Sequence, residues 1–241
     1  IKNITLNDII NFHNEMYTPY NVKLILAGYI EPQDLKMVEE LSLEDGFKTA
    51  KHKSKLKTGI VCDKFNETQQ MHFLFSHEGI PLTDEEYAYP AMVLNTLLSS
   101  GMSSLLFEYI REKKGLVYDI STTNIQSKEW GVFSIYAATS VENSEKLFKE
   151  LFSLLKNFNL TKKLFEYGKK RLLGSLELLT ESTSALTSLY IQYLVNDLEV
   201  KTIDKIIERI KQVTEKDVEN AYEKLIKGQW SLTYVTPEKE L

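Results

Sequence analysis

The chain has 241 residues, 43% of them apolar, and carries 34 acidic against 29 basic side chains for a net charge of −5. That length holds one large domain or two small ones with a real core, and the acidic balance gives no general attraction for nucleic acid. No stretch reaches the about 18 continuous apolar residues of a membrane helix, since Tyr87–Leu98, the longest candidate, contains Pro90 and Asn95. The single cysteine, Cys62, excludes an intrachain disulfide and favours a reducing compartment, the cytoplasm first. It reads as a half-buried strand residue. The chain starts at Ile1 without a signal peptide, as a processed product or an excised piece would, which leaves the location of its parent open.

In chain order, Thr5-Leu-Asn-Asp8 predicts a helix start with Thr5 as the cap, and Ile9, Ile10, Phe12, His13 and Met16 follow at helical spacing. Tyr17-Thr-Pro19-Tyr-Asn21 breaks it. Val22–Tyr29 reads as a strong strand, and Pro32 opens a helix to about Glu40. His13 and Glu15 stand two apart on a helix and so face different ways. Neither a His-Glu-x-x-His nor a His-x-x-Glu-His pattern occurs, and the four histidines, 13, 52, 72 and 77, are scattered. From Leu41 the periodicity fades. Lys48, Lys51, Lys53, Lys55 and Lys57 have no interleaved aromatics to stack on bases, so the run reads as a solvated linker.

Gly59–Lys64 and Gln69–His77 read as strands, with Met71, Phe73 and Phe75 on one face of the second and His72, Leu74 and Ser76 on the other. Thr83-Asp-Glu-Glu86 predicts a capping box for a helix to Leu98, whose Tyr89, Val93 and Leu97 form a core stripe. Strands follow at Tyr118–Ile125 and Gly131–Ala138. Helices are expected over about 142–158, 161–180, 182–196, 202–211 and 214–227, then a last strand at Trp230–Val235. Glu177 and Glu181 read as helix surface, and Lys169-Lys170-Arg171 as a solvated helical run.

The stretch Ser99–Tyr118 organises the rest. Gly101 ends one helix, Ser103 or Ser104 is placed to cap the next, and Gly115 stops it before apolar Leu116. Arg111 then sits in a last helical turn and Tyr118 at a strand start, where a cation and a phenol can converge. Read alone, Arg111 also fits as an i,i−3 partner of Glu108, and Tyr118 as an ordinary strand aromatic.

The whole string resembles the C-terminal half of the M16 (pitrilysin and processing-peptidase) zinc metallopeptidases, where Gly-x-Ser-Ser-x-Leu-Phe leads to Arg-Glu-Lys-x-Gly-Leu-x-Tyr. Here these are Gly101-Met102-Ser103-Ser104-Leu105-Leu106-Phe107 and Arg111-Glu112-Lys113-Lys114-Gly115-Leu116-Val117-Tyr118. The family often has Arg where this chain has Leu105. The resemblance implies an α+β fold, an M16 half of the LuxS/MPP-like type. Its antiparallel or mixed sheet packs against helices and follows the tail of a similar half.

An internal repeat fits that picture. Ile4-Thr5-Leu-Asn-Asp8-Ile9-Ile-Asn11 matches Val213-Thr214-Glu-Lys-Asp217-Val218-Glu-Asn220 in Thr, Asp, a branched apolar residue and Asn at equal offsets, and each helix leads to a strand. Residues 1–47 are then expected to be the tail of an N-terminal half, 48–58 a lysine-rich linker and 59–241 a C-terminal half. By the same resemblance, the zinc motif lies upstream of Ile1 or on a catalytic partner subunit, and this chain alone binds no metal and is inactive. Zinc belongs to the full-length protein. There it polarises the scissile carbonyl and activates water, while Tyr118 is the catalytic donor to the developing oxyanion and Arg111 binds substrate carbonyls. The implied function is metalloendopeptidase action on a peptide held in a clamp between two halves. The alternative is a non-catalytic subunit or scaffold that binds peptides or partners a catalytic subunit.

Overall fold

The computed structural model describes residues 1–46, 48, 57–65 and 68–237. They form two compact units, Ile1–Ser54 with Leu179–Lys201, and Lys55–Leu178 with Thr202–Leu241. The expected lysine-rich linker lies largely outside the described residues. Among those described, no helix is long and apolar enough to cross a membrane.

The first unit holds α1 (Leu6–Met16), α2 (Pro32–Glu39) and α6 (Thr183–Val195). Thr5 and Asp8 form the predicted capping box, with Thr5 N–H donating to Asp8 Oδ2 at 2.8 Å and Asp8 N–H to Thr5 Oγ1 at 3.3 Å. Pro32 takes the first turn of α2, where its missing N–H costs nothing. The strand expected at Val22–Tyr29 does not form: residues 22–27 carry no regular secondary structure and join no ladder among the described residues. The alternation of Val22, Leu24 and Leu26 is that of a strand, and all three are exposed. A strand is completed by its neighbour's hydrogen bonds, and among the described residues no strand pairs with this one.

The second unit is built on a five-stranded mixed sheet in the order β1-β5-β2-β4-β3. The strands are β1 (Ile60–Lys64), β2 (Met71–Glu78), β3 (Asp119–Gln126), β4 (Gly131–Thr139) and β5 (Ser231–Thr236). Among the described strands only β1 and β5 pair in parallel. On one face Met71, Phe73, Phe75, Phe133, Ile135 and Ala137 are buried, as the alternation of β2 predicts. Phe73 and Phe75 meet Phe148 of α4 (Ser144–Lys156) edge-on, at 4.7 and 5.3 Å between ring centres. The core also takes Val93, Leu94, Leu97 and Leu98 of α3 (Glu85–Ser99) and Val218, Ala221 and Leu225 of α8 (Glu215–Ile226). α5 (Lys162–Leu179) and α7 (Ile203–Gln212) complete the helical layer.

Two local expectations change. The Thr83–Glu86 capping box is absent, because the Thr83 hydroxyl donates to Lys128 O at 2.7 Å instead. The basic run on α5 is not merely solvated. Lys169 Nζ donates to Lys211 O and Val213 O, both at 2.7 Å, and so caps the C-terminus of α7.

Candidate functional site

The site is assembled where α3 ends and β3 begins. Gly101, at φ +89°, turns the chain away from α3 beneath α5, and a side chain there would lie 2.8 Å from Arg171 Cζ. Tyr167 Oη donates to Ser100 O at 2.6 Å and Arg171 Nε to Ser100 Oγ at 2.9 Å. Ser104 is fully buried and does not cap the next helix. Its hydroxyl donates back to Gly101 O at 2.7 Å, so it tightens the preceding turn. On the strand side, Ser99 Oγ accepts from Thr122 N–H at 2.9 Å and lies 2.6 Å from Thr122 Oγ1. This covers one backbone donor of β3, an edge strand.

The helix that follows is a π-helix over Phe107–Lys113, a wider turn than the sequence suggested. Its signature is the i→i−5 bond from Lys114 N–H to Tyr109 O at 3.1 Å. Gly115, at φ +61°, then closes it, with Leu116 N–H reaching Ile110 O at 3.2 Å and the Leu116 side chain buried. Buried Thr139 donates its hydroxyl to Leu116 O and ties this exit to β4.

The widened turn decides what Arg111 does. Glu108 pairs with Lys113 at 2.7 Å, five residues on, and that bond holds its carboxyl below the usual range. On an α-helix two such residues point about 140° apart. Arg111 is therefore not the partner of Glu108; its guanidinium lies over the Phe107 ring, 4.7 Å from the centre. Across the same turn, Glu150 of α4 receives Lys114 Nζ at 2.9 Å and Tyr109 Oη at 3.1 Å. The Lys114 bond lowers the Glu150 pKa, and the same bond raises that of Lys114.

Tyr118 precedes β3 at a bulge. Its N–H donates to Ala138 O at 2.8 Å, while Asp119 is the partner of Ala138 in the ladder, so two residues face one. A bulge re-aims the side chain it carries. Tyr118 is 59% exposed, although Ile120, two residues on, is buried. Among the described residues no hydrogen bond, ion pair or ring contact joins Arg111 to Tyr118, and none holds the Tyr118 phenol.

A second polar group, on the other face of the sheet, was not singled out from the sequence. Thr68 Oγ1 donates to Gln70 O at 3.1 Å and so accepts from His72 Nε2 at 3.4 Å. That assigns the ring proton to Nε2, and Tyr136 Oη donates to Nδ1 at 2.8 Å. Burial, then the Asp119 carboxylate, push the Tyr136 phenol up. The alternation of β2 and β4 puts both residues on one face, but only their register across the sheet reveals the pairing.

No three His, Cys, Asp or Glu side chains converge among the described residues. These residues do not fit a zinc site.

A five-stranded mixed sheet covered on one face by helices makes this an α+β domain. The chain belongs to the peptidase M16 inactive domain family, whose model matches residues 3–172. It is 30% identical over 235 residues to YmxG, an uncharacterised zinc protease of Bacillus subtilis, covering 94% of this chain and 56% of that one. A protease from Helicobacter pylori superposes with a TM-score of 0.81 at 20% identity, over 98% of this chain and 60% of the other. The peptidase M16 inactive domain from Pseudomonas fluorescens gives 0.80 at 22% identity, over 99% and 59%. The chain thus spans little more than half the length of these proteins.

Proposed function

We propose that this chain serves as the C-terminal half of an M16-type zinc metalloendopeptidase, with Arg111 binding peptide carbonyls and Tyr118 donating to the oxyanion at the scissile bond. The observation that carries the reading is that both polar heads are open while the backbone beneath them is fixed. Arg111 has no carboxylate partner among the described residues, and the Tyr118 phenol is exposed beside a bulge tied to Ala138. A donor held in place favours the charge that develops in the transition state over the ground state. The planar fork of Arg suits carbonyl acceptors.

Zinc, implied by the names of the relatives, does not fit the residues described, so the metal belongs to an N-terminal half or a catalytic partner subunit. The apolar side chains of α1 and the segment 22–27, which joins no ladder among the described residues, support that pairing: they are what the tail of another half presents when its own sheet is absent. The division at 1–47, 48–58 and 59–241 and a chamber that closes on a peptide are parts of the same proposal. A second reading, a non-catalytic half that binds peptides or partners, is favoured by the description of the family as an inactive domain.

Peptide hydrolysis by the full-length protein separates the two. Tyr118→Phe should lower kcat about 10²–10³-fold with KM little changed, and its thermal midpoint should stay put because the phenol bonds none of the described residues. Arg111→Ala should raise KM as well. A stable Tyr118→Phe protein with unchanged kcat would leave the non-catalytic reading standing.

A further inference from the structure

We propose that Glu150, on α4, is a positioning residue for Arg111: its carboxylate locks the π-helical turn that presents the guanidinium. The inference rests on the reading of Arg111 given above and deepens it.

A π-helix is rare and needs holding in place, since the same residues otherwise relax to α geometry. The hold here spans the bond that defines it. Lys114 N–H donates to Tyr109 O at 3.1 Å, and Glu150 joins the side chains of those same two residues, Lys114 Nζ at 2.9 Å and Tyr109 Oη at 3.1 Å. Lys114 Nζ also lies 5.2 Å from the centre of the Tyr109 ring. On an α-helix, residues 109 and 114 would diverge by about 140°, and one carboxylate would not reach both. Glu150 is therefore selective for the wider turn, and Arg111 stands between the two residues it grips.

The Lys114 and Glu150 side chains are 32% and 23% exposed, against 61% and 53% for Lys113 and Glu108 on the same helix. The clamp is the better shielded of the two pairs, and water screens it less. Its far end leads directly to Gly115, whose left-handed turn starts the approach to Tyr118. Without Glu150, the turn relaxes and Arg111 rotates away from the position it takes over Phe107.

The test is a mutant cycle on peptide hydrolysis by the full-length protein, using Glu150→Ala, Arg111→Ala and the pair together. Glu150→Ala should lower kcat/KM by roughly 10- to 100-fold, mostly through KM, as a small misplacement of a substrate-binding group does. In the Arg111→Ala background it should add nothing, because the group it positions is already gone. Glu150→Gln keeps an acceptor oxygen for Tyr109 or Lys114 and should recover part of the loss. Lys114→Met should reproduce it. A purely structural Glu150 would give the same factor in both backgrounds, and that result, or an unchanged kcat/KM, overturns the proposal. Silence of Arg111→Ala itself overturns the reading of Arg111 and the clamp with it, a distinct outcome. If Glu150→Ala fails to fold, Glu150→Gln and Lys114→Met carry the same cycle.

Discussion

The two copies of the Thr-x-x-Asp helix start share one local structure and have opposite surroundings. Thr5 and Thr214 have φ, ψ of −98°, 165° and −100°, 166°. In each copy the backbone N–H of Thr donates to Asp at 2.8 Å and its hydroxyl to the same carboxylate at 2.7 Å. Beyond the cap the copies part. In α8, Val218, Ala221 and Leu225 are fully buried. At the same offsets in α1, Ile9 and Phe12 are 57% and 59% exposed, and no residue of the helix is buried. The chain after α8 becomes β5 between β1 and β2; the chain after α1 joins no ladder among the described residues. Capping is thus settled by four residues, whereas burial depends on a sheet that lies far away in sequence.

The largest effect expected from this contrast is in the cores. Leu225→Ala should cost about 2–5 kcal/mol of stability by leaving a cavity, whereas Ile9→Ala should stay within about 0.5 kcal/mol in this chain. Denaturant unfolding of the two variants measures both. In the full-length protein the contrast should vanish, with Ile9→Ala costing on the order of 2 kcal/mol or more as its face is covered. An Ile9→Ala variant as mild there as here breaks the assignment of residues 1–47 to another half.

The same division between local and distant causes explains what the sequence made legible. Met71, Phe73 and Phe75 announce their buried face by alternation, and Thr5 and Asp8 their cap by spacing, because neighbours suffice for both. The widened turn at Phe107–Lys113 depends on Glu150, 41 residues from Tyr109, and nothing in its own letters separates it from an α-helix. Thr83 is lost as a cap to a carbonyl 45 residues away. The motif named Arg111 and Tyr118; the π-turn and the bulge that present them are products of tertiary contact.

Capping should give an intermediate effect, equal in size and different in readout. Thr5→Ala and Thr214→Ala each remove the same hydroxyl, worth about 1 kcal/mol. For Thr214 the loss should appear in global unfolding, since α8 is part of the core. For Thr5 it should appear as faster amide exchange in α1 alone, because that helix opens without the rest. Equal shifts of the global midpoint would show that α1 unfolds with the core and break the contrast.

The smallest effect is the response of the first cap to acid. The Asp8 carboxyl is held below its usual pKa, first by the Thr5 hydroxyl and then by the Thr5 backbone N–H. A carboxyl whose pKa is lowered in the folded state stabilises fully above its unfolded value, about 3.9, and loses that contribution as pH falls through the lower folded value. Its charge also suits a helix N-terminus, where backbone N–H groups are unpaired. Since α1 has no buried face to hold it, protonation of Asp8 should fray its first turn. α8 should keep its helix over the same interval because packing holds it. Backbone chemical shifts followed from about pH 6 to about pH 2 would report the helix content of each. Asp8→Asn should remove the pH dependence in α1 and leave α8 alone. Loss of both helices together in acid would mean that the first copy is supported by more than its cap.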